Sequence, residues 1–282
     1  MTQEITEDKL KFIEDKAREI RSEVIKMLTE SGSGHSAGPL GMADVFASLY
    51  FHILNHDPEN PNWEERDRLI LSNGHICPAR YAAMAIAGYF PMKELWTLRK
   101  IGSRLQGHPH RTSLKGVETT SGPLGTGLGQ AIGVSLTAKL DGKKWRTYCI
   151  TSDGEHDEGN HWETAMFAGK MRINNLTLIV DRNNIQIDGH TEDVMPLEPL
   201  RDKYISFGWY VLEIDGHSPY EIISAANEAK AVFERPTVII AHTIPGKGVS
   251  FMENNYLWHG KVPNGKEANI ALEEINKKRK NA

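Results

Sequence analysis

From Thr147 onward the chain repeats one pattern that leaves few folds open. Short apolar runs alternate with longer segments of helical periodicity. They predict strands at 147–151, 176–180, 210–214 and 237–241, and helices at 158–170, 200–207 and 219–233 between them. Strands separated by helices cannot be joined by tight hairpins. They run parallel, and a parallel sheet is covered on both faces. The expected fold is α/β, a parallel sheet with helices on both faces. In such sheets the ligand crevice lies beyond the carboxyl ends of the strands.

The first half of the chain reads as more of the same layers, interrupted by long loops. Leu10, Ile13, Ala17, Ile20, Val24 and Met27, spaced alternately three and four, predict a helix over 6–30 with one face to bury. Ser31-Gly32-Ser33-Gly34 stops it and leaves His35 in a loop. A second, well-buried helix is expected over 41–54, before Asp57-Pro58 and Asn60-Pro61 break the chain. Residues 68–72 read as a strand ending in the loop Asn73-Gly74-His75, 79–89 as a buried helix and 93–100 as a shorter one. The glycine-rich passage 102–129 carries Gly107-His108-Pro109-His110 and Ser121-Gly122-Pro123-Leu124-Gly125-Thr126-Gly127. Loops of that length inside a compact domain are uncommon without a function. This one runs into an expected helix at 129–140, whose N-terminus gathers backbone amides. No repeat, low-complexity tract or linker divides the sequence, so residues 1–282 are expected to form one domain with a C-terminal excursion over 243–282.

Two strand ends carry chemistry. Asp153-Gly154-Glu155 follows one predicted strand, and Asn183-Asn184 follows the next, thirty positions on. Either alone is an ordinary turn. Together they place two hard oxygen ligands at the same edge of one sheet, where a metal can be held against a phosphate. Mg²⁺ is commonly bound by one or two protein groups with substrate phosphates and water. Asp153 supplies charge, the Asn183 carbonyl a neutral oxygen, and Gly154 admits a diphosphate close to the backbone.

Composition removes other functions. With 33 basic and 37 acidic residues and a formal charge of -4, the chain has no broad field for nucleic acid. The run Lys277-Lys278-Arg279-Lys280 reads as a frayed helix end with cations suited to the dipole, not as a binding tail. Cys77 and Cys149 form neither a disulfide framework nor a metal-ligand spacing. The charged N-terminus lacks a signal-peptide core, and no run approaches the roughly 18 apolar residues of a membrane span. A cytoplasmic protein without membrane or nucleic-acid contacts is expected.

With these motifs in place the sequence resembles a known family. The DG-to-N spacing is similar to the thiamine diphosphate (ThDP) signature, and DGEHDEGN, AGK, NLTLIVDRNN and QIDG resemble transketolase. SGSGHSAGPLGMAD, LSNGHICPARYA, GHPHR, TSGPLGTGLGQAIG and WHGKVP match in the same order, so the resemblance covers nearly the whole chain. It corresponds to the N-terminal, diphosphate-binding half of a full-length transketolase. It implies a ThDP-binding fold and the N-terminal subunit of a split enzyme, transferring a two-carbon ketol unit from a ketose phosphate to an aldose phosphate.

The resemblance also implies roles for residues. Asp153, Asn183 and the main-chain carbonyl of Ile185 would hold Mg²⁺, with Ca²⁺ or Mn²⁺ as substitutes. Gly154 would face the diphosphate, His75 would reach it, and Ser152 would stand beside it where the family usually has glycine. Gly122, Pro123 and Leu124 would line the cofactor, the last near the aminopyrimidine, with Ile187 and Asp181 by the thiazolium. His35, His108 and His259 would surround the reacting sugar, His259 also within reach of the cofactor, and Glu158 would lie at an interface between modules. Histidine suits such a site because near neutral pH it can bind hydroxyls or shuttle protons. His52, His56, His190 and His217 lie outside the matched loops. Ser36-Ala37 departs from the family pattern and leaves the substrate preference open.

In this family a second module supplies the glutamate that activates the pyrimidine and the arginines that grip the sugar phosphate. The resemblance thus implies a separate C-terminal partner subunit and an α2β2 assembly with active sites between chains. Two alternatives stay open: a related ThDP enzyme with a different donor or acceptor, such as a deoxyxylulose-phosphate synthase or a transketolase for an unusual sugar, and a ThDP-binding subunit without catalysis.

Overall fold

The computed structural model describes residues 5–277, so Lys278, Arg279 and Lys280 of the basic run lie outside the described residues. Its strands are β1 (Arg68–Leu71), β2 (Thr147–Ser152), β3 (Leu176–Arg182), β4 (Ile185–Gln186), β5 (Gly189–His190), β6 (Tyr210–Asp215) and β7 (Thr237–His242). Five of them form a parallel sheet in the order β1-β2-β3-β7-β6. Leu71, Ile150, Ile179, Ile239 and Leu212 stand side by side across it.

Successive side chains of a strand point to opposite faces, and here the two faces bury different clusters. Leu69, Leu71, Tyr148, Ile150, Ile179 and Ile239 pack into one core. That core takes in helices α1 (Glu7–Ser31), α2 (Ala37–Gly41), α3 (Ala43–Ser48), α4 (Cys77–Ile86), α9 (Pro219–Ala231) and α10 (Gly265–Lys277). Ile70, Cys149, Leu178, Val180, Val238 and Ile240 face the other core with α5 (Gly127–Leu140), α6 (Gly159–Lys170) and α8 (Leu200–Ser206); the short α7 is Thr191–Val194. Each fully buried Ile or Leu stabilises the fold by about 1.5–3 kcal/mol. The two-sided helical cover is therefore what the apolar strands require, as the alternating sequence predicts.

Local chemistry sets the element ends. Thr6 caps α1 by accepting the Lys9 amide at 3.3 Å, and Gly32, at φ 65°, closes it by donating to the Leu28 carbonyl. Pro78 sits in the first turn of α4, where its missing N–H is harmless, so that helix starts at Cys77, ahead of the expected 79. α5 starts at Gly127 because the Ser72 hydroxyl accepts the Gly127 amide at 2.9 Å.

The helix expected over 41–54 is instead α2, α3 and a π-helical turn at Leu49–Ile53. Gly41 lets the segment after β7 come close, since a Cβ there would lie 3.0 Å from the Ile244 carbonyl. The helix expected over 93–100 shrinks to a 3₁₀ segment, Met92–Thr97, and Arg99 takes the left-handed φ of 60°. The segment after β7 is pinned by a buried relay: the Asp44 carboxylate accepts from the Arg21 guanidinium and from His217 Nδ1, while His217 Nε2 accepts the Ile244 amide at 2.7 Å. His217 thus has a structural task, and the relay sets the course of the chain that goes on to deliver His259.

Candidate active site

Asp153 follows β2 directly and is fully buried. Its Oδ1 accepts the Gly154 amide at 2.8 Å; its Oδ2 accepts the Asn184 amide at 2.6 Å and Arg182 Nη1 at 3.1 Å. Asn184 can aim its N–H this way because it adopts a left-handed φ of 63°, which asparagine tolerates. Burial nonetheless pushes the Asp153 carboxyl up to about 6, against the opposing pull of Arg182 and the two amides.

The neighbouring carboxylates are in the same position. Asp181, near the end of β3, accepts from Asn183 Nδ2 at 2.8 Å and from the Thr243 hydroxyl, yet burial raises it to about 7. Burial likewise lifts Glu155 to about 7 although it accepts from Ser72, Gly125 and Ser152. Arg182 is the buried cation among them, and it is shared with Glu192 at 2.6 Å and Glu198 at 3.0 Å. Buried negative charge exceeds buried positive charge here, the condition under which a bound cation is favoured. Among the described residues no three His, Cys, Asp or Glu side chains converge as a metal cluster. A cation would therefore take Asp153, the Asn183 side-chain oxygen, main-chain oxygen and cofactor phosphate. Asn183 Oδ1 already accepts the Ile185 amide at 3.0 Å and keeps a second lone pair.

Glu155 also ties the glycine loop to this edge. It takes the Gly125 amide at 2.6 Å together with the Ser72 hydroxyl, so the loop carrying Gly122, Pro123 and Leu124 is fixed to the ends of β1 and β2. Gly125 has φ 78°, and a Cβ on it would lie 2.1 Å from Asn160 Oδ1 and 2.7 Å from Glu158 Cβ. Glu158 itself is exposed, just before α6. The Ser152 backbone is engaged by Glu155 and by His156 Nδ1. Ile187 is 63% exposed, unusual for isoleucine, and its Cδ1 faces Gly260 beside His259.

Four histidines from four distant loops meet. The His35 ring lies 5.1 Å from that of His75, 5.5 Å from His259 and 6.4 Å from His108, and His75 lies 5.1 Å from His259. Burial is the main force lowering each of them: His35 to about 4, helped by His259, Arg99 and His108; His75 well below its ordinary value; His108, with help from Arg99; and His259. Each shift favours the neutral imidazole, which has one donor and one acceptor nitrogen. His52, His56 and His190 stay outside this group: His56, for example, bridges Tyr50 and Tyr89.

Two residues to which the sequence reading gave no role, Asn73 and Ser121, belong here with His35. Both amide atoms of the buried Asn73, the Ser121 hydroxyl and His35 Nδ1 are buried with no partner among the described residues. Gly74, next to Asn73, packs against Ser121 and His108, since a Cβ on it would lie 2.5 Å from Ser121 Oγ and 3.0 Å from His108 Cδ2. Buried polar atoms are rarely left unpaired, and a ligand at this place would supply partners for them. Asn73 reads in the sequence as a turn residue; only its burial distinguishes it.

The comparisons with known proteins fit this geometry. The sequence matches the family described as the transketolase thiamine diphosphate binding domain over residues 13–279. It is 44% identical over 247 residues to the 6-deoxy-6-sulfo-D-fructose transketolase subunit SqwG of Clostridium sp. (strain MSTE9), covering 88% of this chain and 90% of the relative. It is 36% identical over 258 residues to one of the subunits of the apulose-4-phosphate transketolase of Phocaeicola vulgatus, covering 92% of each. A transketolase structure from Campylobacter jejuni superposes with a TM-score of 0.88 at 33% identity, over 95% of this chain and 42% of that one. The chain belongs to the transketolase family, as its thiamine diphosphate binding domain.

Proposed function

We propose that this chain is the ThDP-binding subunit of a two-chain transketolase that moves a two-carbon ketol unit between anionic sugars outside the common pentose phosphates. The observation that carries this reading is the meeting of the imidazoles of His35, His75, His108 and His259, joined to the acidic strand ends through Ser72, which precedes the His75 loop and donates to Glu155. A group that presents a diphosphate to one side and a reactive ring to the other spans those two features. The names of two relatives, which specify a sulfonated fructose and apulose 4-phosphate, favour an unusual sugar over a pentose-phosphate role.

In this reading Asp153, Asn183 and the Ile185 carbonyl would hold Mg²⁺, whose charge would offset the buried carboxylates and a bound diphosphate. The Gly154 backbone and His75 face that diphosphate, with Ser152 beside them. Gly122, Pro123 and Leu124 line the pyrimidine side, and Ile187 and Asp181 the thiazolium. Bound ThDP supplies the electron sink for carbon–carbon cleavage. His35, His108 and His259 orient the sugar hydroxyls and accept or return their protons, which neutral imidazoles within one cluster can do. Residues 1–282 act as one diphosphate-binding domain.

The relatives' designation as subunits supports a partner chain that brings the pyrimidine-activating glutamate. So does the row Met166, Phe167 and Met171 at the end of α6, each at least 44% exposed. An α2β2 assembly would bury it. The test is ketol transfer with ThDP and Mg²⁺ by the chain alone and mixed with its C-terminal partner, over phosphorylated and sulfonated ketoses. Transfer only in the mixture, and fastest with an unusual ketose, is expected. Full activity of the chain alone refutes the split site, and ThDP binding without product from any mixture marks a non-catalytic role.

A further inference from the structure

Among the described residues, neither side of the site holds a free cation for an anionic sugar. One side is an excess of buried carboxylates, the other a group of uncharged imidazoles, and the chain as a whole carries -4. A negatively charged substrate still has to come to rest there. The cations near the histidines are few. Lys261, two residues past His259, is spoken for by Glu267 at 3.3 Å and by the face of Trp258 at 3.9 Å. Arg104 is gripped by both oxygens of Glu94.

Arg99 is different. It sits in the left-handed region at φ 60°, a strained setting for a long side chain, and its amide donates to the Leu105 carbonyl at 2.9 Å. Its guanidinium is laid against two glycines, each the residue immediately before a histidine of the cluster. A Cβ on Gly107 would lie 2.7 Å from Arg99 Cζ, 2.8 Å from Nε and 2.9 Å from Nη2, and a Cβ on Gly34 would lie 3.8 Å from Nε. The residue is exposed, and no hydrogen bond or ion pair engages its guanidinium among the described residues. The absence of side chains at Gly34 and Gly107 is what lets this cation stand beside His35 and His108. The same charge contributes to keeping both imidazoles neutral.

We propose that Arg99 is a specificity residue of the sugar site, the group by which this chain itself recognises a substrate bearing a phosphate or sulfonate. A planar guanidinium with a fork of donors matches either anion, whose oxygens have the same tetrahedral arrangement. The proposal rests on the ketol-transfer reading for the identity of the substrate, but not for the presence of an anion site.

The experiment compares wild type, Arg99→Gln and Arg99→Lys, each assembled with the C-terminal partner, on one acceptor aldehyde in phosphorylated and unphosphorylated form, and on a phosphorylated and a sulfonated ketose donor. The readout is the ratio of kcat/KM for the charged over the uncharged acceptor. Arg99→Gln is expected to lower that ratio about tenfold, mainly through KM, with partial recovery in Arg99→Lys. The two donors report whether phosphate or sulfonate is the better match. Arg201→Gln, on an exposed stretch of helix and paired with Glu213, serves as the control. An unchanged ratio in Arg99→Gln overturns the proposal. If wild-type mixtures give no transfer at all, the ketol-transfer reading has failed, and the anion site is decided separately. The chain alone is then titrated with inorganic phosphate and with sulfate while the imidazole C–H signals of His35 and His108 are followed by NMR. Saturable shifts in wild type that vanish in Arg99→Gln support the assignment, and the absence of shifts, or equal shifts in both proteins, overturns it.

Discussion

Removing one oxygen from Tyr204 isolates the energetics of the wall behind the site. The Tyr204 hydroxyl lies 2.7 Å from His156 Nε2 and 2.7 Å from His161 Nε2, and all three residues are buried. His156 Nδ1 faces the Ser152 carbonyl at 2.8 Å, so that nitrogen carries the proton and Nε2 is an acceptor. Tyr204 must then donate to His156 and accept from His161 Nε2–H. Tyr204→Phe keeps the ring but strands an acceptor and a donor, each costing roughly 1–3 kcal/mol when buried. A total of about 3 kcal/mol is expected, which lowers the melting temperature by roughly 6–12 °C for a chain of this size. Thermal melts at about pH 7.5 followed by circular dichroism check it, and a drop under about 2 °C would refute the proton assignment. Acid sensitivity follows from the same wall. Burial lowers His156 to about 4, so between about pH 6.5 and 4 the unfolded chain holds a proton the native state refuses. Its contribution is present above about pH 6.5 and lost as pH falls. His156→Gln should flatten the fall of the melting temperature across that window relative to wild type, and an identical slope would contradict it.

Asp153→Ala is expected to weaken ThDP binding in the presence of Mg²⁺ by at least about a hundredfold in calorimetry, since it removes the charged ligand. Folding should survive, because Arg182 retains Glu192 and Glu198. Equal affinity in the variant would show that the cation sits elsewhere. Gly169→Ala sets helix propensity, which favours alanine by about 1 kcal/mol, against packing. The added Cβ would lie 1.8 Å from the Phe207 carbonyl, a main-chain atom that cannot swing away. A loss of about 3 kcal/mol in urea unfolding is expected, and a stabilised variant would mean that the α6 to α8 contact is looser than described.

The alternation of strands and helices in the second half was legible because apolar periodicity is local. So was the coincidence of Asp153 and Asn183 at strand ends, which needs only the strands' positions. The broken helix at Gly41 was not legible. Helix propensity carries no trace of it, nor of the approach of the Ile244 carbonyl to Gly41 from about two hundred residues away. The antiparallel pair β4–β5 and the short α7 were equally hidden, being too brief for a period to register. His35, His75, His108 and His259 came from family resemblance, since nothing in their separate loops tells that the rings meet. Asn73, Ser121 and Arg182 stood inside matched motifs without a role and Arg99 outside them: their significance lies in missing or shared partners, which only packing defines.

Arg182 joins Asp153 on one side to Glu192 and Glu198 on the other, and Ile187 lies in the stretch of chain between Arg182 and Glu192. A substitution anywhere from 186 to 198 that shifts those glutamates will therefore be felt at Asp153. One guanidinium thus makes the Asp153 carboxylate and the loop through Ile187 a single mechanical body, and a change to any of its three attachments is shared by the other two.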